Sequence, residues 1–412
     1  MSREGVNRAA EAVARRSYGK LVAFLASRTR DVAGAEDALA DAFAAALVDW
    51  PASGVPRNPE AWLMTAAKRR LIDAARRQQT SEAGEEHLLL LSELNETVAD
   101  EIPDDRLALM FACAHPAIDA AIRAPLILQT VLGFDAAAIA SAFLVAPAAM
   151  GQRLVRAKAR IREAGIPFRV PPREDLPERL DAVLGAIYAS FAEGWTDPAG
   201  TDTRRRNLAE EGIWLGRLVA SLLPGEPEAL GLLALMLHAE ARRGARRDAG
   251  GEYVPLAEQD PALWNARLIE EAEELLFRAS RMNVVGRYQL EAAMQSAHAA
   301  RRRTGRTDWA AIVQIYDSLL ALTGSPVVAI NRAIALAETE GPAAALAALD
   351  ALAGDERLAD YQPWWAARAG LLARGGDAEA AGQAYERAIG LESDPAVRRF
   401  LQRRKAAIFS KN

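Results

Sequence analysis

The sequence predicts an all-α protein. Alanine and leucine fill segments whose apolar residues recur at helical spacing over most of the 412 residues. The alternation of β-branched and polar residues that marks strands is scarce, and Gly, Pro and Asp interrupt the helical segments. We expect two small helical domains, joined by an acidic linker and followed by a large helical C-terminal domain.

The composition is that of a globular protein, with 51% hydrophobic and 25% charged residues. No apolar run approaches the roughly 20 residues of a membrane span, and the first residues lack the apolar centre of a signal peptide. The single cysteine, Cys113, excludes an intramolecular disulfide. We therefore expect a cytoplasmic protein without membrane contact.

The first block, residues 1–79, contains the basic segment "NPEAWLMTAAKRRLIDAARR". Helical spacing predicts a buried stripe of Leu63, Ala67, Leu71 and Ala74. The other side of this helix would hold Trp62, Arg69, Asp73, Arg76 and Arg77. An aromatic ring beside arginines suits the unstacked bases and phosphates of a melted strand. The alternative is a core tryptophan beside solvated arginines.

The linker, residues 80–105, is strongly acidic. Nine acidic residues and no Lys or Arg lie between Ser81 and Asp105, whereas the flanking segments "KRRLIDAARR" and "RLVRAKARIR" are basic. Residues 1–172 hold 21 basic and 21 acidic residues, so the formal charge of -5 arises after them. This segregation favours local contact with a polyanion over general attraction. A solvated spacer is the alternative for the acidic stretch.

The second block, residues 106–170, has the pattern of a helix-turn-helix. Asp135 can cap a short helix, and Pro147 can begin a longer basic helix after a brief turn. The second helix of such a motif enters the major groove of DNA. Its buried stripe would be Met150, Leu154, Ala157 and Ile161, and its opposite face Ala149, Gln152, Arg153, Arg156 and Arg160.

On that opposite face, Gln152 and Arg153 are placed for base edges, while Arg156 and Arg160 are placed for phosphates. The alternative is an ordinary basic surface helix.

The C-terminal domain, residues 175–412, follows the proline-rich boundary "IPFRVPPREDLP". We expect its helices from Leu180 to Ile408 to pack as one unit. Near its end, Ala381, Tyr385 and Pro395 match the second helix of a tetratricopeptide unit. A looser copy begins at Gly341, 35 residues before Gly376. A generic alanine-rich helical hairpin is the alternative.

Signals for catalysis are weak. The sequence has no phosphate-binding G-x-x-x-x-G-K-[ST], no H-E-x-x-H and no paired C-x-x-C. Cys113 and His115 offer too few ligands for zinc. We therefore expect no catalytic residue, no metal and no cofactor. A small-molecule pocket or, as we favour, a structural polar network would involve Glu193, Trp195, Arg242, Arg243, Gln259, Asp260 and Trp264.

Three segments in this order resemble the two domains of extracytoplasmic-function sigma factors of bacterial RNA polymerase: "AEDALADAF", "NPEAWLMTAAKRRLIDAARR" and "FDAAAIASAFLVAPAAMGQRLVRAKARIR". Five further segments resemble the subgroup with a tetratricopeptide-like C-terminal extension: "FACAHPAI", "AGIPFRVP", "LGLLALMLHAEARR", "SPVVAINRAIALAETEGPAAAL" and "AEAAGQAYERAI". The resemblance covers essentially the whole chain.

The resemblance implies a role for each block. Docking on the clamp helices of core RNA polymerase would fall to Glu36, Asp37, Asp41 and Phe43. Contact with the −10 element of promoter DNA would fall to Trp62, Arg69, Arg70, Arg76 and Arg77. Contact with the −35 element would fall to Ala149, Gln152, Arg153, Arg156 and Arg160. The C-terminal extension would contact the sigma domains and regulate them.

Two other functions fit part of the pattern. One is a helix-turn-helix regulator that binds operators without polymerase and uses the C-terminal domain as a sensor. The other is a tetratricopeptide adaptor whose basic helices are incidental. The first block discriminates between them, because a regulator of this kind needs neither a polymerase-docking helix nor a melted-strand helix.

Overall fold

The computed structural model describes residues 3–77, 104–143, 145–195 and 203–409. Within these ranges the regular elements are helices, and β pairing is confined to one isolated bridge between Arg247 and Tyr253. The all-α prediction is confirmed. None of the described helices combines the length and the apolar run needed to cross a bilayer.

The chain divides into two compact units. The first comprises Met1–Thr196 and Asp202–Leu215, and the second comprises Asp197–Thr201 and Gly216–Asn412. The predicted functional domains, 1–79, 80–105, 106–170 and 175–412, are not tested by this division and stay predictions.

The first unit begins with three long helices, which are α1 (Arg3–Thr29), α2 (Val32–Ser53) and α3 (Pro59–Arg77). The Asp31 carboxylate accepts a hydrogen bond of 3.1 Å from the Gly34 N–H, which caps the start of α2. The three helices pack on one another, and Trp50 of α2 is fully buried between them. They form the core of the first block.

Four further helices form the second block: α4 (Arg106–Cys113), α5 (Ala120–Leu132), α6 (Ala136–Ala142) and α7 (Pro147–Glu163). Helix α1 packs against α4 and α5, and α2 packs against α7. The helices of the two sequence blocks therefore share one core in this structure.

The predicted acidic linker lies outside the described residues from 80 to 103. Its last residue, Asp105, is anchored to α1, because its carboxylate accepts hydrogen bonds from the Ser27 hydroxyl at 2.8 Å and from Arg28 Nη1 at 3.4 Å. The entry to α4 is thus fixed on the first block.

The next two helices are α8 (Leu176–Trp195) and α9 (Thr203–Leu222). Helix α8 packs on α4 and α5, and Arg179 Nη2 donates a 2.7 Å hydrogen bond to the Phe111 carbonyl oxygen. Its buried face includes Leu180, Leu184 and Ile187. This differs from the single unit expected from Leu180 to Ile408, because burying that apolar face joins α8 to the first unit.

The second unit is organised around α10 (Pro227–Ala241), which is buried along nearly its whole length. It packs against α11 (Ala266–Ser280) and α12 (Arg287–Ala299), and the short α13 (Arg301–Thr304) follows α12. The Glu228 carboxylate of α10 accepts hydrogen bonds from the N–H groups of Tyr288 at 2.9 Å and Gln289 at 3.1 Å. A side chain from one helix thereby satisfies the free N–H groups at the start of another.

The described part of the second unit ends in helices that each pack on the next: α14 (Trp309–Thr323), α15 (Pro326–Thr339), α16 (Pro342–Asp350), α17 (Gln362–Gly375), α18 (Ala378–Leu391) and α19 (Pro395–Phe409). Gly341 joins α15 to α16 and Gly376 joins α17 to α18, both with positive φ, at 88° and 89°. Ala381 and Tyr385 are buried on α18. The two hairpins are similar in plan, and their tetratricopeptide assignment stays a prediction.

Gln259 and Trp264, two residues of the polar group predicted from the sequence, lie in the loop between α10 and α11 of the second unit. Arg301 holds this loop in place. Arg301 donates hydrogen bonds to the carbonyl oxygens of Leu256, Ala257 and Gln259, and its guanidinium lies 5.1 Å from the ring centre of buried Trp264. These bonds pair backbone carbonyl groups that the loop cannot pair by regular helical hydrogen bonds. Whether the predicted polar group is a structural network or a small-molecule pocket stays a prediction.

We expect Cys113 to be unreactive in the native protein. Burial raises the pKa of its thiol to about 12, and a weak contact of 3.4 Å with the Thr130 hydroxyl opposes this only in part. Because the thiolate is the nucleophile, reaction with a disulfide reagent at pH 8 should be at least about a hundredfold slower than for an exposed cysteine.

The variant Ser53→Cys, at an exposed position, supplies the reference rate in the same chain. Denaturant should make both thiols react alike. Fast, stoichiometric labelling of native Cys113 would contradict this packing.

Candidate nucleic-acid interface

The helix-turn-helix is formed by α6, a short turn and α7. The Asp135 carboxylate accepts a 2.7 Å hydrogen bond from the Ala138 N–H at the start of α6, and Pro147 occupies the first position of α7. The buried residues of α7 are Met150, Leu154, Ala157 and Ile161. They are the four that helical spacing predicts, so the rotation of α7 about its axis is fixed by its core.

The opposite face of α7 is available to a ligand. Its side chains Gln152, Arg153, Arg156 and Arg160 are exposed and Ala149 is half-buried. The structure brings these predicted residues together on one surface. Their contact with DNA stays a prediction.

Three arginines of α7 border a surface concavity of about 430 Å³. Arg153, Arg156 and Arg160 form one wall. Asp119, which precedes α5, and Ala121 and Ile122 in its first turn form another. The Asp119 carboxylate caps α5 by accepting a 3.0 Å hydrogen bond from the Ala121 N–H. Three guanidinium groups against one carboxylate, beside the positive end of a helix, favour a bound phosphate.

Helix α3 carries the other basic face. Leu63, Ala67 and Leu71 are buried as expected, with Ala74 half-buried, while Arg69 and Arg70 are exposed. The side chains of Arg76 and Arg77 lie outside the described residues.

Trp62 is half-buried, and its ring packs edge-on against Trp50 with ring centres 5.6 Å apart. Its ring thus belongs in part to the core of the first unit, and only the remaining surface can meet a base.

Helix α2 presents an exposed stripe on the side away from its core. Asp37 and Asp41 belong to it, as expected, together with Ala40, Ala44 and Val48. Val48, in the last two turns of α2, is 75% exposed. Ala44 and Val48 were not identified from the sequence. The signal was their helical spacing, because Ala44 follows Asp41 by three residues and Asp37 by seven, and Val48 follows Asp41 by seven.

Two other residues expected at the polymerase surface lie elsewhere on α2. The Glu36 carboxylate forms an ion pair with Lys158 of α7, and the two side chains are only 12% and 11% exposed. Phe43 is half-buried.

Burial raises the pKa of Glu36, and the attraction of Lys158 offsets this incompletely. The second carboxylate oxygen, Oε1, is buried and accepts no hydrogen bond from the described residues.

Potential metal ligands are engaged locally. The Cys113 thiol contacts Thr130, and His115 Nδ1 accepts a 3.1 Å hydrogen bond from the Ala117 N–H. Among the residues that the structure describes, no three His, Cys, Asp or Glu side chains converge as a metal site would require.

Comparison with known proteins adds four findings. Residues 13–81, which span most of α1 to α3, match Sigma-70 region 2, and residues 179–280 match a family of unknown function, DUF6596. An uncharacterized protein of Rhizobium meliloti (strain 1021) is 42% identical over 367 residues, covering 87% of this chain and 86% of the relative. No solved structure matches the chain.

Proposed function

We propose that this chain, which belongs to the sigma-70 family, is a dissociable promoter-specificity subunit of bacterial RNA polymerase. It also shares a family with the Rhizobium meliloti protein. The observation that carries the proposal is the match of residues 13–81 to Sigma-70 region 2, on helices whose exposed stripe holds Asp37 and Asp41. We place it among the extracytoplasmic-function factors with a tetratricopeptide-like extension, acting in the cytoplasm with the polymerase.

Polymerase docking is assigned to the exposed stripe of α2. Asp37 and Asp41 supply charge, and Ala40, Ala44 and Val48 supply a shallow apolar surface between and beyond them. Apolar contact surrounded by charge is how protein interfaces combine affinity with orientation. Glu36 and Phe43, both half-buried, would contact polymerase at the edge of this stripe.

Promoter recognition is divided between two faces. Helix α3 would hold the −10 element through Arg69, Arg70 and the exposed part of Trp62, with Arg76 and Arg77 following. Helix α7 would enter the major groove at the −35 element, where Gln152 and Arg153 contact base edges. Arg156 and Arg160 would hold phosphates from the concavity beside α5.

The C-terminal extension would maintain the active arrangement of the sigma domains. Its first helix, α8, already covers α4 and α5 and holds the Phe111 carbonyl through Arg179. This packing supports a scaffold better than a detachable mask, because removing α8 would expose apolar faces of α4 and α5 to water.

A stand-alone helix-turn-helix regulator accounts for α6 and α7 but leaves the exposed stripe of α2 and the region 2 match without a role. Runoff transcription with purified core polymerase and a promoter library separates the two functions. We expect the chain to direct discrete start sites only together with core polymerase. Specific DNA binding without any such transcripts would favour the regulator.

Charge reversal on α2 should abolish polymerase binding. Both sites of Asp37→Arg with Asp41→Arg are exposed, and Asp41 is only 3.9 Å from exposed Arg70, a pair worth about 0–1 kcal/mol. The fold should therefore survive, as circular dichroism and thermal melting would show. Affinity for core polymerase should fall at least about a hundredfold, measured by fluorescence anisotropy.

The matched control, Glu174→Arg with Asp181→Arg, makes the same charge change at exposed positions outside α2. Unchanged binding by the Asp37 and Asp41 variant would show that the stripe is misassigned.

The arginines of α7 should separate into two classes. Arg153→Ala should reduce the binding free energy for the preferred −35 sequence by roughly 1–3 kcal/mol, because a base contact is lost. The base preference at one position of that sequence should also relax. Arg160→Ala should weaken binding to all DNA sequences alike, because a phosphate contact is lost. The slope of log binding constant against log salt concentration should become shallower by about one.

Duplex binding by the polymerase complex over a salt series measures both effects. Arg169→Ala, an exposed site beyond the end of α7, is the control. If Arg153→Ala and Arg160→Ala both behave like the control, the proposed reading face is wrong.

Two truncations should distinguish α8 from the rest of the extension. A chain ending at Pro172 loses α8 and the burial of Leu180, Leu184 and Ile187, each worth about 1.5–3 kcal/mol, so it should melt earlier and transcribe poorly. A chain ending at Leu222 keeps α8 and α9 and should keep the melting behaviour of the first unit.

Transcription by the chain ending at Leu222 then reports on the remaining extension. Lower transcription than the full chain is expected if the extension holds the active arrangement. Equal transcription would remove the regulatory role of that part, and higher transcription would indicate masking.

A further inference from the structure

The second unit contains a surface cavity of about 1020 Å³, which we call the α11–α13 cavity. One wall is formed by the first turns of α11 and the other by the end of α12 and by α13, with Asp260 and Pro261 of the preceding loop at its border. Because α11 and α12 both pack on α10 and also contact each other, one core holds the two walls in place. Pockets for small ligands usually measure about 300–1000 Å³, so this space is larger than a single ion needs.

The two walls of the cavity carry opposite charges. Glu270 and Glu273 line it from α11, and Arg302 and Arg303 line it from α13. Its lining also includes apolar side chains, among them that of Ile269. A ligand in this cavity would therefore meet negative charge on one side, positive charge on the other and an apolar surface as well.

These four charged side chains are not neutralised by the protein. They form no ion pair with one another or with any other arginine, lysine or carboxylate that the structure describes. Ion pairs are common elsewhere in this unit, and Glu271 on the same helix α11 is held by Arg217 at 2.7 Å. The cavity therefore differs from the surrounding surface, because charges of both signs face it without partners.

A buried histidine behind the acidic wall leaves its charge in place. His238 Nε2 lies 3.4 Å from a carboxylate oxygen of Glu273, and the histidine side chain is fully buried. Burial, with a smaller contribution from the charge of Arg242, lowers the pKa of His238 to about 4. The ring is thus neutral at pH 7 and adds no positive charge to the acidic wall.

Arg301 fixes the basic wall. Its Nη1 and Nη2 groups donate hydrogen bonds to three carbonyl oxygens of the loop between α10 and α11. Its Nε is buried and donates to no acceptor among the described residues. The start of α13 is therefore tied to the loop that borders the cavity, and Arg302 and Arg303 follow directly from this anchor.

We propose that the α11–α13 cavity binds a short peptide with free termini, its ammonium group at Glu270 and Glu273 and its carboxylate at Arg302 and Arg303. Such a peptide carries one charge of each sign at opposite ends and apolar side chains between them, and capture of a free terminus is a recurring mode of peptide recognition. Guanidinium groups pair with carboxylates through charge-assisted hydrogen bonds. The proposal goes beyond the sigma function and does not depend on it.

The test is isothermal titration calorimetry of the full chain with the tripeptide alanyl-leucyl-alanine. We expect saturable one-to-one binding. The N-acetylated and the C-amidated tripeptides should each bind at least about tenfold more weakly, because each loses one charge-assisted contact. Free leucine should also bind more weakly, because its two charges are too close together to reach both walls.

Two double variants assign the two ends of the peptide. Glu270→Gln with Glu273→Gln should weaken binding of the free tripeptide at least about tenfold but should not weaken binding of the N-acetylated form any further. Arg302→Met with Arg303→Met should do the same for the free and the C-amidated forms. Because each variant is matched to one chemical modification, general damage to the fold would not give this pattern.

Matched controls neutralise the same kinds of charge outside the cavity. Glu258→Gln with Glu274→Gln and Arg278→Met with Arg306→Met change exposed side chains that do not line it. Both should bind the tripeptide as the parent chain does, and circular dichroism should show unchanged helical content in all four variants.

Four outcomes overturn the proposal: no binding of the tripeptide, equal binding of its blocked forms, equal binding of free leucine, or equal loss of binding in the controls. The measurement uses neither polymerase nor DNA. Failure of peptide binding therefore leaves the sigma function untouched, and failure of the chain to direct transcription leaves the cavity proposal untouched.

Discussion

The packing of α1 against α5 is the contact on which the rest of the first unit depends. Because Gly19 has no side chain, the α1 backbone approaches Val131 directly, and the helices of the two sequence blocks come to share a core. That core fixes the rotation of α7, whose buried stripe faces inward and whose arginines face outward. Lys158 lies on neither face and meets Glu36.

The electrostatics of the unit differ between its interior and its surface. At the surface, exposed arginines on α3 and α7 keep their hydration and can exchange it for phosphates at little cost. In the interior, Glu36 loses its hydration, and the resulting rise in its pKa shows that burial outweighs the attraction of Lys158. The surface charges are therefore available for binding, whereas the buried Glu36–Lys158 pair joins α2 to α7.

The local pattern of apolar and capping residues predicted much of the candidate nucleic-acid interface. Helical spacing alone identified Met150, Leu154, Ala157 and Ile161 as the buried stripe of α7, and thereby its exposed face. Capping chemistry placed Asp135 and Pro147 correctly, since both act within one turn of their own position. The all-α class followed from the same periodicity.

The sequence alone did not predict the contacts between distant segments of the chain. Nothing local to Glu36 reveals that Lys158 faces it, and nothing local to Trp62 reveals that its ring packs on Trp50. The grouping of α8 with the first unit depends likewise on the surface that α4 and α5 leave uncovered. Proline-rich composition marked a change of segment after residue 170, but it carried no information about which core the next helix joins.

The most direct test of the central claim is hydroxyl-radical footprinting of the free chain and of the chain mixed with core polymerase. Val48 is 75% exposed on the α2 stripe, and Phe277, 63% exposed in the second unit, is the internal reference. We expect core polymerase to protect Val48 strongly while Phe277 keeps its reactivity. Equal reactivity of Val48 with and without saturating polymerase would contradict the account.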